Sequence, residues 1–452
     1  MNVDVLVVGA GPAGLAAAIE LRRLGAGRVL VAERERQAGG VPRHSSHIGY
    51  GLGDLHRVMT GPGYARHYAD AAARAGAQIR TGTTVTALDP GRRATLTSPA
   101  GIETVTAAAV LLATGCRERP RSARLVPGDR PPGIMTTGEL QQRVYLAGQR
   151  LRGRALIVGA EHVSFSAMLT LAHAGAEVVA LVTEQPRHQS YAAFALGASL
   201  RWRVPVWTST TIYRVVSWHA QANPMDVTLI GTQPYESHIH RVRNADPAGA
   251  DPAGGEQGLG RLAGVEVTDL RTGAVRFVPC DMLVFSGDWI PDHELARLAG
   301  VAIDHGTRGP AVDMSLETSV PGIFAAGNLV HAAETADVAA LGGRHAARQI
   351  AAALRDQAQR RALEEPVPIT VAPPLAWISP SVIRGRTAFP QRGRFLLRSE
   401  VFARRAQLEV RQQDHVLARA RARLVPSRPV RLDARWLSRV EPGAGPVQVL
   451  LR

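Results

Sequence analysis

Val3-Asp4-Val5-Leu6-Val7-Val8-Gly9-Ala10-Gly11-Pro12-Ala13-Gly14 is an apolar strand that runs into Gly-x-Gly-x-x-Gly and continues directly as the helical stretch Leu15–Arg23. Each glycine has its own reason in such a turn. Gly9 permits the tight strand-to-helix reversal, Gly11 lets the backbone approach a pyrophosphate, and Gly14 lets helix and strand pack closely. The helix N-terminus, with its unpaired amides, then faces the phosphates. A second strand, Arg28–Ala32, ends at Glu33, whose carboxylate can accept from both hydroxyls of an adenosine ribose and would repel a 2′-phosphate. A fortuitous Gly-rich turn would not place strand, glycines, helix, strand and acid in this order, so the stretch predicts a dinucleotide-binding unit.

The rest of the chain extends the pattern. Ala107–Thr114 reads as a further strand ending in Ala113-Thr114-Gly115, and the polar run 116–134 as a crossover into a second domain. A new βα unit begins at Gly153, with strand Arg154–Val158, turn Gly159–Ser164, a helix to His173 and strand Glu177–Thr183. Glu161 and Ser164 stand where the second and third glycines of a cradle belong, so a carboxylate occupies the place of an approaching pyrophosphate. Three readings stay open for this domain: NAD(P)H binding, an adenine nucleotide bound in another way, or a retained structural unit. The near-duplicate Asp-Pro-Ala-Gly loop of 244–260 reads as a hairpin tip.

The expected architecture is α/β: two Rossmann-like dinucleotide-binding domains plus a small C-terminal β module. The first domain is discontinuous, 1–125 and 281–360, with Met282–Phe285 as a buried strand and Asp337–Leu354 as its closing helix. The second domain is 126–280. Glu364–Pro374 reads as a Pro-rich linker, and the alternating runs Arg394–Arg398 and Gln407–Arg411 place β structure in the module, 366–452.

Composition sets further bounds. A chain of 452 residues, 45% hydrophobic, can build two or three cores. No apolar stretch approaches the roughly 18 residues of a membrane span, and Met1 opens a strand rather than a signal peptide, so a cytoplasmic protein without an integral membrane segment is expected. Cys116 and Cys280 are too few for a disulfide framework, a zinc site or a four-thiolate cluster. The net charge is +15, and all 53 basic residues are arginine. They are spread along the chain and densest from Arg384 to Arg439, which fits a solvated basic surface or an acidic protein partner better than a nucleic acid. Without lysine there is no Schiff-base nucleophile.

Thr318-Ser319-Val320-Pro321-Gly322-Ile323-Phe324-Ala325-Ala326-Gly327-Asn328 resembles the second FAD signature of the two-dinucleotide-binding flavoproteins, the superfamily of glutathione reductase. The resemblance implies FAD as the dinucleotide, with Asn328, in place of the usual Asp, at the ribityl chain. It also implies cofactor contacts at Pro12, Ala13, Arg34, Gly40, Val85, Ala113, Thr114, Gly115 and Gly327, beside Gly9, Gly11, Gly14 and Glu33. It implies too that the helix after Thr335 points its positive end at the flavin. Disulfide reductases of that superfamily carry two cysteines after the Gly-Gly pair. Here Gly39-Gly40 is followed by Val-Pro-Arg-His-Ser-Ser-His, with Ser45 and Ser46 and no thiol.

His44 and His47 are candidates for lining the flavin and moving protons near neutral pH, with a structural role equally open. His331 and Glu334 are further candidate flavin neighbours, or helix-start packing. No further ligand stands near His44 and His47 for a metal. Gly39–Tyr68, Trp289–Leu295 and Phe324–His331 resemble bacterial FAD oxidoreductases that accompany anaerobic-type glycerol-3-phosphate dehydrogenases. Glu118-Arg119-Pro120 and Gly128–Pro131 are similar to the FAD subunits of hydrogen cyanide synthase, opine oxidase and heterotetrameric sarcosine oxidase. These likenesses cover about residues 1–355. They imply an FAD-dependent oxidoreductase that takes electrons between an acceptor and either a small-molecule substrate or a partner subunit; the alternative is a non-catalytic flavin-binding scaffold subunit. The module 375–452 is then expected to form an interface, with an acidic dehydrogenase-like subunit or in a homodimer, the competing reading being a tail that covers an apolar face of its own FAD domain.

Overall fold

The computed structural model describes residues 1–191, 203–218, 260–355, 365–385 and 389–452. The loop expected at 244–260 lies, but for its last residue, outside them. The first domain is built on Asn2–Val8, whose Val5, Leu6 and Val7 are fully buried. It pairs in parallel with Val29–Ala32 on one side and with Gly101–Leu112 on the other. Gln78–Arg80 extends the sheet at one edge. The twelve-residue strand Gly101–Leu112 serves two neighbours: its first half closes an antiparallel meander with Arg93–Ser98, and its last residues pair in parallel with Ile323–Ala325. Sequence neighbours 1–112 and the distant 323–325 thus share one sheet.

Two helices cover that sheet, Pro12–Arg23 and Ala336–Arg355. They pack with almost no side-chain spacing because their facing residues are alanine and glycine. A β-carbon on Gly343 would lie 1.9 Å from the Ala13 carbonyl oxygen, so this approach requires glycine. The contact brings the start of the first helix against the last one, on the side where Gly327 also meets Ala13.

The second domain is a parallel sheet in the order Ile134–Thr136, Met282–Phe285, Arg154–Val158, Glu177–Val182, Val206–Trp207. This corrects the expected boundary. Met282–Phe285 belongs to the second domain, and the chain returns to the first only through Trp289–Pro291, which pairs antiparallel with the outgoing strand Cys116–Glu118. An apolar run flanked by polar residues reads the same in either sheet, which is why the pattern alone misplaced it.

The C-terminal module is a β structure with its own core, including Phe395, Leu397, Leu408, Val410, Val447 and Val449. One expectation changes here. Val367–Val371 is not linker but a strand of the module, paired with Val447–Leu451 and Val382–Ile383 and burying Ile369. The module also docks on its own chain: Met314 of the first domain belongs to its core, the Ser381 amide donates to the Val312 carbonyl, and Arg384 reaches the Thr318 carbonyl. Among the described residues no helix is long and apolar enough to cross a membrane.

Candidate functional site

The first glycine turn has the geometry its residues predict. Gly9 has φ +103°, and a β-carbon there would stand 2.5 Å from the Ala113 carbonyl oxygen; one on Gly14 would stand 1.9 Å from the Gly9 carbonyl oxygen. At Gly11 the same addition meets nothing within 4 Å. Two of the three glycines are therefore demanded by the protein's own packing, while the third faces open space at the N-cap of Pro12–Arg23. Gly40 closes on this turn, with its β-position 2.8 Å from Gly11 Cα, and Gly327 closes on the next, 2.7 Å from Ala13 Cβ. Gly115, at φ +81°, again borders open space. Gly9, Gly11, Pro12, Ala13, Gly14, Gly40, Ala113 and Gly327 are thus brought together around one helix start.

Glu33 is buried at the end of its strand. Its Oε2 accepts from the Ala10 amide at 2.7 Å and its Oε1 from the Glu35 amide at 2.9 Å, so the carboxylate is aimed by the glycine turn itself. Each oxygen keeps a lone pair for a further donor. Thr114 Oγ1 donates to the Asp292 carbonyl at 2.7 Å, and exposed Arg34 lies 3.7 Å from the Asp292 carboxylate, tying the strand ends to the returning segment. Val85 is a core residue, paired opposite Leu96, which leaves only its backbone for a ligand. Asn328 is partly engaged: its Oδ1 accepts from the Glu334 amide at 2.8 Å, and its Nδ2 donates to the Glu334 carbonyl at 3.2 Å.

The histidines do not form one cluster. His44 ends the short turn Val41–His44, with Nδ1 buried and without a hydrogen-bond partner, and burial with the neighbouring Arg43 charge lowers it to about 4. His47 Nδ1 lies 2.9 Å from the Ile48 carbonyl, and its ring leans on Tyr50. His331 stacks on Trp377 of the C-terminal module, centroids 5.2 Å apart, and burial beside Arg398 lowers it to about 3. Burial thus favours the neutral imidazole at His44 and His331. A group that titrates near neutrality is Glu118, on the strand that enters the second domain: burial pushes its carboxyl up to about 7, while its Oε2 accepts from the Gly138 amide at 2.6 Å. Sequence reasoning missed it because nothing in Glu-Arg-Pro signals burial.

These neutral histidines make a pH prediction. Unfolded imidazole protonates below about 6.5, whereas His44 and His162, also lowered to about 4 by burial, resist protonation in the fold. The unfolded chain then binds more protons, so stability should fall as pH drops from about 6.5 toward 4. Urea midpoints between about pH 7.5 and 4.5 measure it. A His44→Gln variant should show a shallower decline, and an unchanged slope would contradict the assignment.

The second cradle is filled by the protein itself. Ser164 Oγ sits 2.7 Å from the β-position of Gly159, accepts from the Glu161 amide at 3.1 Å and donates to Ser286 Oγ at 3.1 Å. The Glu161 carboxylate packs over Gly287, whose β-position lies 2.1 Å from Oε1, and burial raises its pKa. A small cavity of about 50 Å³ adjoins it, lined by Glu161, His162, Gln189, Trp289, Ala333 and Ser427. The last of these comes from the C-terminal module. Arg398 of that module donates to the carbonyls of Ala332 and Ala333, at 2.8 and 3.3 Å, and to Glu334 Oε1 at 3.1 Å. Arg428 reaches the carbonyls of Gln189 and Ser190 in the second domain. The module therefore grips both domains beside the Asn328–Glu334 loop. One arginine among 53 carries no sequence mark of this role.

Residues 3–212 match the family model described as pyridine nucleotide-disulphide oxidoreductase. Over this span the chain is similar to that family. Three curated proteins match parts of it. An opine oxidase subunit from Agrobacterium tumefaciens is 33% identical over 34% of this chain and 32% of its own length. The HcnB subunit of hydrogen cyanide synthase from Pseudomonas aeruginosa is 34% identical over 35% and 34%, and the alpha subunit of sarcosine oxidase from a Corynebacterium species is 31% identical over 44% and 21%. The chain thus spans about a third or less of these relatives. Among solved structures, thioredoxin reductase of T. acidophilum superposes with TM-score 0.58 at 21% identity, covering 78% of this chain and 98% of that one. A NAD-dependent persulfide reductase of A. fulgidus gives 0.53 at 20%, covering 96% and 72%. These structural likenesses establish the two-domain Rossmann fold of the chain.

Proposed function

We propose that this chain binds FAD in the first cradle and passes electrons through it between an acceptor and either a reduced small molecule or a partner subunit, without a redox-active dithiol. The observation that carries the reading is the open Gly11 at a helix N-terminus beside a buried, backbone-aimed Glu33. Gly9, Gly11, Pro12, Ala13 and Gly14 would hold the pyrophosphate, Glu33 the ribose, and Gly327 and Asn328 the ribityl end. When bound, the flavin supplies reversible two-electron chemistry. The chain's own contribution is positioning: the glycine turn supplies amides and the carboxylate excludes a 2′-phosphate. Anaerobic titration with candidate hydride and amine donors tests the reading; loss of the yellow colour supports it, and a flavin that no donor reduces favours the scaffold.

That second reading, a flavin-binding subunit whose partner does the chemistry, is favoured by the self-filled second cradle. A carboxylate within a few ångströms of a dinucleotide pyrophosphate is repulsive by about 1–4 kcal/mol. NADH or NADPH should therefore reduce the flavin slowly, and Glu161→Gly should speed reduction at subsaturating NADH by roughly tenfold or more. Rapid bleaching of the wild type at micromolar NADH would contradict this. Aromatic disulfides should not be turned over with NADPH, because Ser45 and Ser46 supply no thiolate and burial raises the Cys116 and Cys280 thiols. Turnover that survives replacement of both cysteines would overturn that expectation.

A further inference from the structure

We propose that the lobe formed by residues 41–60 is the docking face for a second polypeptide whose surface is apolar at its centre and acidic at its rim. Val41, Ile48, Leu52 and Val58 are 58%, 69%, 55% and 62% exposed, four large aliphatic side chains within a single short segment. Isolated exposed aliphatics are ordinary, but a group of them on one small lobe marks a contact surface.

The lobe is held in shape. Ile48–Tyr50 pairs with Met59–Thr60, and the Gly61 amide donates to the His47 carbonyl at 3.2 Å. The Gly51 and Gly53 amides donate to the two carboxylate oxygens of Asp337, at 2.9 and 2.6 Å. Asp54 turns inward and accepts from the hydroxyls of Tyr64 and Tyr68. A lobe pinned at so many points presents its apolar side chains at little further entropic cost on binding.

Charge selects the occupant. From residue 41 to 67 the exposed ionisable groups are His56, Arg57 and Arg66, and the acid in that span, Asp54, is buried. A second copy of this chain would set arginine against arginine. A lipid surface is less well matched, because the exposed tip carries no tryptophan or exposed tyrosine to sit at the headgroup level. An acidic rim complements the lobe and would steer the encounter. Asp337 also lies in the first turn of Ala336–Arg355, so the docking face is tied directly to the start of the helix at the proposed flavin site. The inference rests on the proposed function in one respect, that the partner is a redox subunit; the curated relatives named above are subunits.

The test uses the full chain in its native host, with a benzophenone amino acid at position 48 and, as control, at position 102, where Ile102 is also exposed. The expected result is one cross-linked polypeptide from position 48 and none from 102. The same polypeptide should co-purify with the wild type, be released at high salt, and be retained at least tenfold less by the double variant Ile48→Glu, Val58→Glu. That variant should keep its thermal midpoint and its flavin content, since neither side chain is buried. Cross-linking of the chain to itself, equal cross-linking from both positions, or binding of the purified protein to phosphatidylglycerol vesicles that the double variant abolishes would each overturn the proposal. Flavin content is read separately, so a wild type that docks without flavin refutes the cofactor reading and leaves the interface standing.

Discussion

Replacing Gly11 by valine should give a folded protein that has lost its yellow colour, with FAD affinity reduced by at least about 100-fold. The asymmetry among the three glycines makes the expectation sharp. A β-carbon at Gly11 meets no protein atom within 4 Å, so the fold accommodates the new side chain, yet its methyl groups fill the space a pyrophosphate needs. Gly14→Ala should behave differently, because its β-carbon would stand 1.9 Å from the Gly9 carbonyl oxygen and the helix could not pack on its strand. Circular dichroism together with flavin absorbance separates the two: the Gly11 variant folded and colourless, the Gly14 variant unfolded or severely destabilised. A Gly11→Val protein that retains flavin would place the cofactor elsewhere.

Arg398→Met should destabilise the protein by about 3–5 kcal/mol, the cost of removing one partner from a buried ion pair. The Arg398 side chain is 12% exposed and that of Glu334 6%, with 3.1 Å between Nη2 and Oε1. Two backbone carbonyls of the same loop lose their donor as well. Burial already raises Glu334, and without the arginine the carboxyl should hold its proton more strongly. A raised folded pKa contributes stability below the unfolded value and loses it as pH rises through the folded one, so the variant should recover part of its loss toward about pH 4. Glu334→Gln in the same chain should recover most of it at neutral pH. Denaturation midpoints for the wild type and these two variants decide the matter, and a loss below about 1 kcal/mol for Arg398→Met would mean that the module is not anchored there.

The first cradle was legible because its constraints are local. Gly9 and Gly14 are fixed by contacts within a strand-turn-helix, and Glu33 by the end of the very next strand. The second cradle was legible for the same reason, down to the substituted Glu161 and Ser164. What was hidden depends on distant packing. Met282–Phe285 carries the same apolar pattern whichever sheet receives it. Pro368 and the pair Pro373-Pro374 mimic a linker, although Val367–Val371 is a strand. The depressed histidines follow from burial between elements far apart in sequence, as does the grip of Arg398 on residues 332–334. The module also covers its own first domain, the competing reading of its sequence, through contacts such as that of Ser381 with Val312.

Acid extraction of the purified wild-type chain, followed by chromatography of the released flavin, decides whether the first cradle holds FAD. About one FAD per chain should be released, intact, without covalent attachment and free of FMN, because the adenine end has its own cradle at Gly11 and Glu33. A folded chain that yields no flavin, or FMN alone, would contradict this reading.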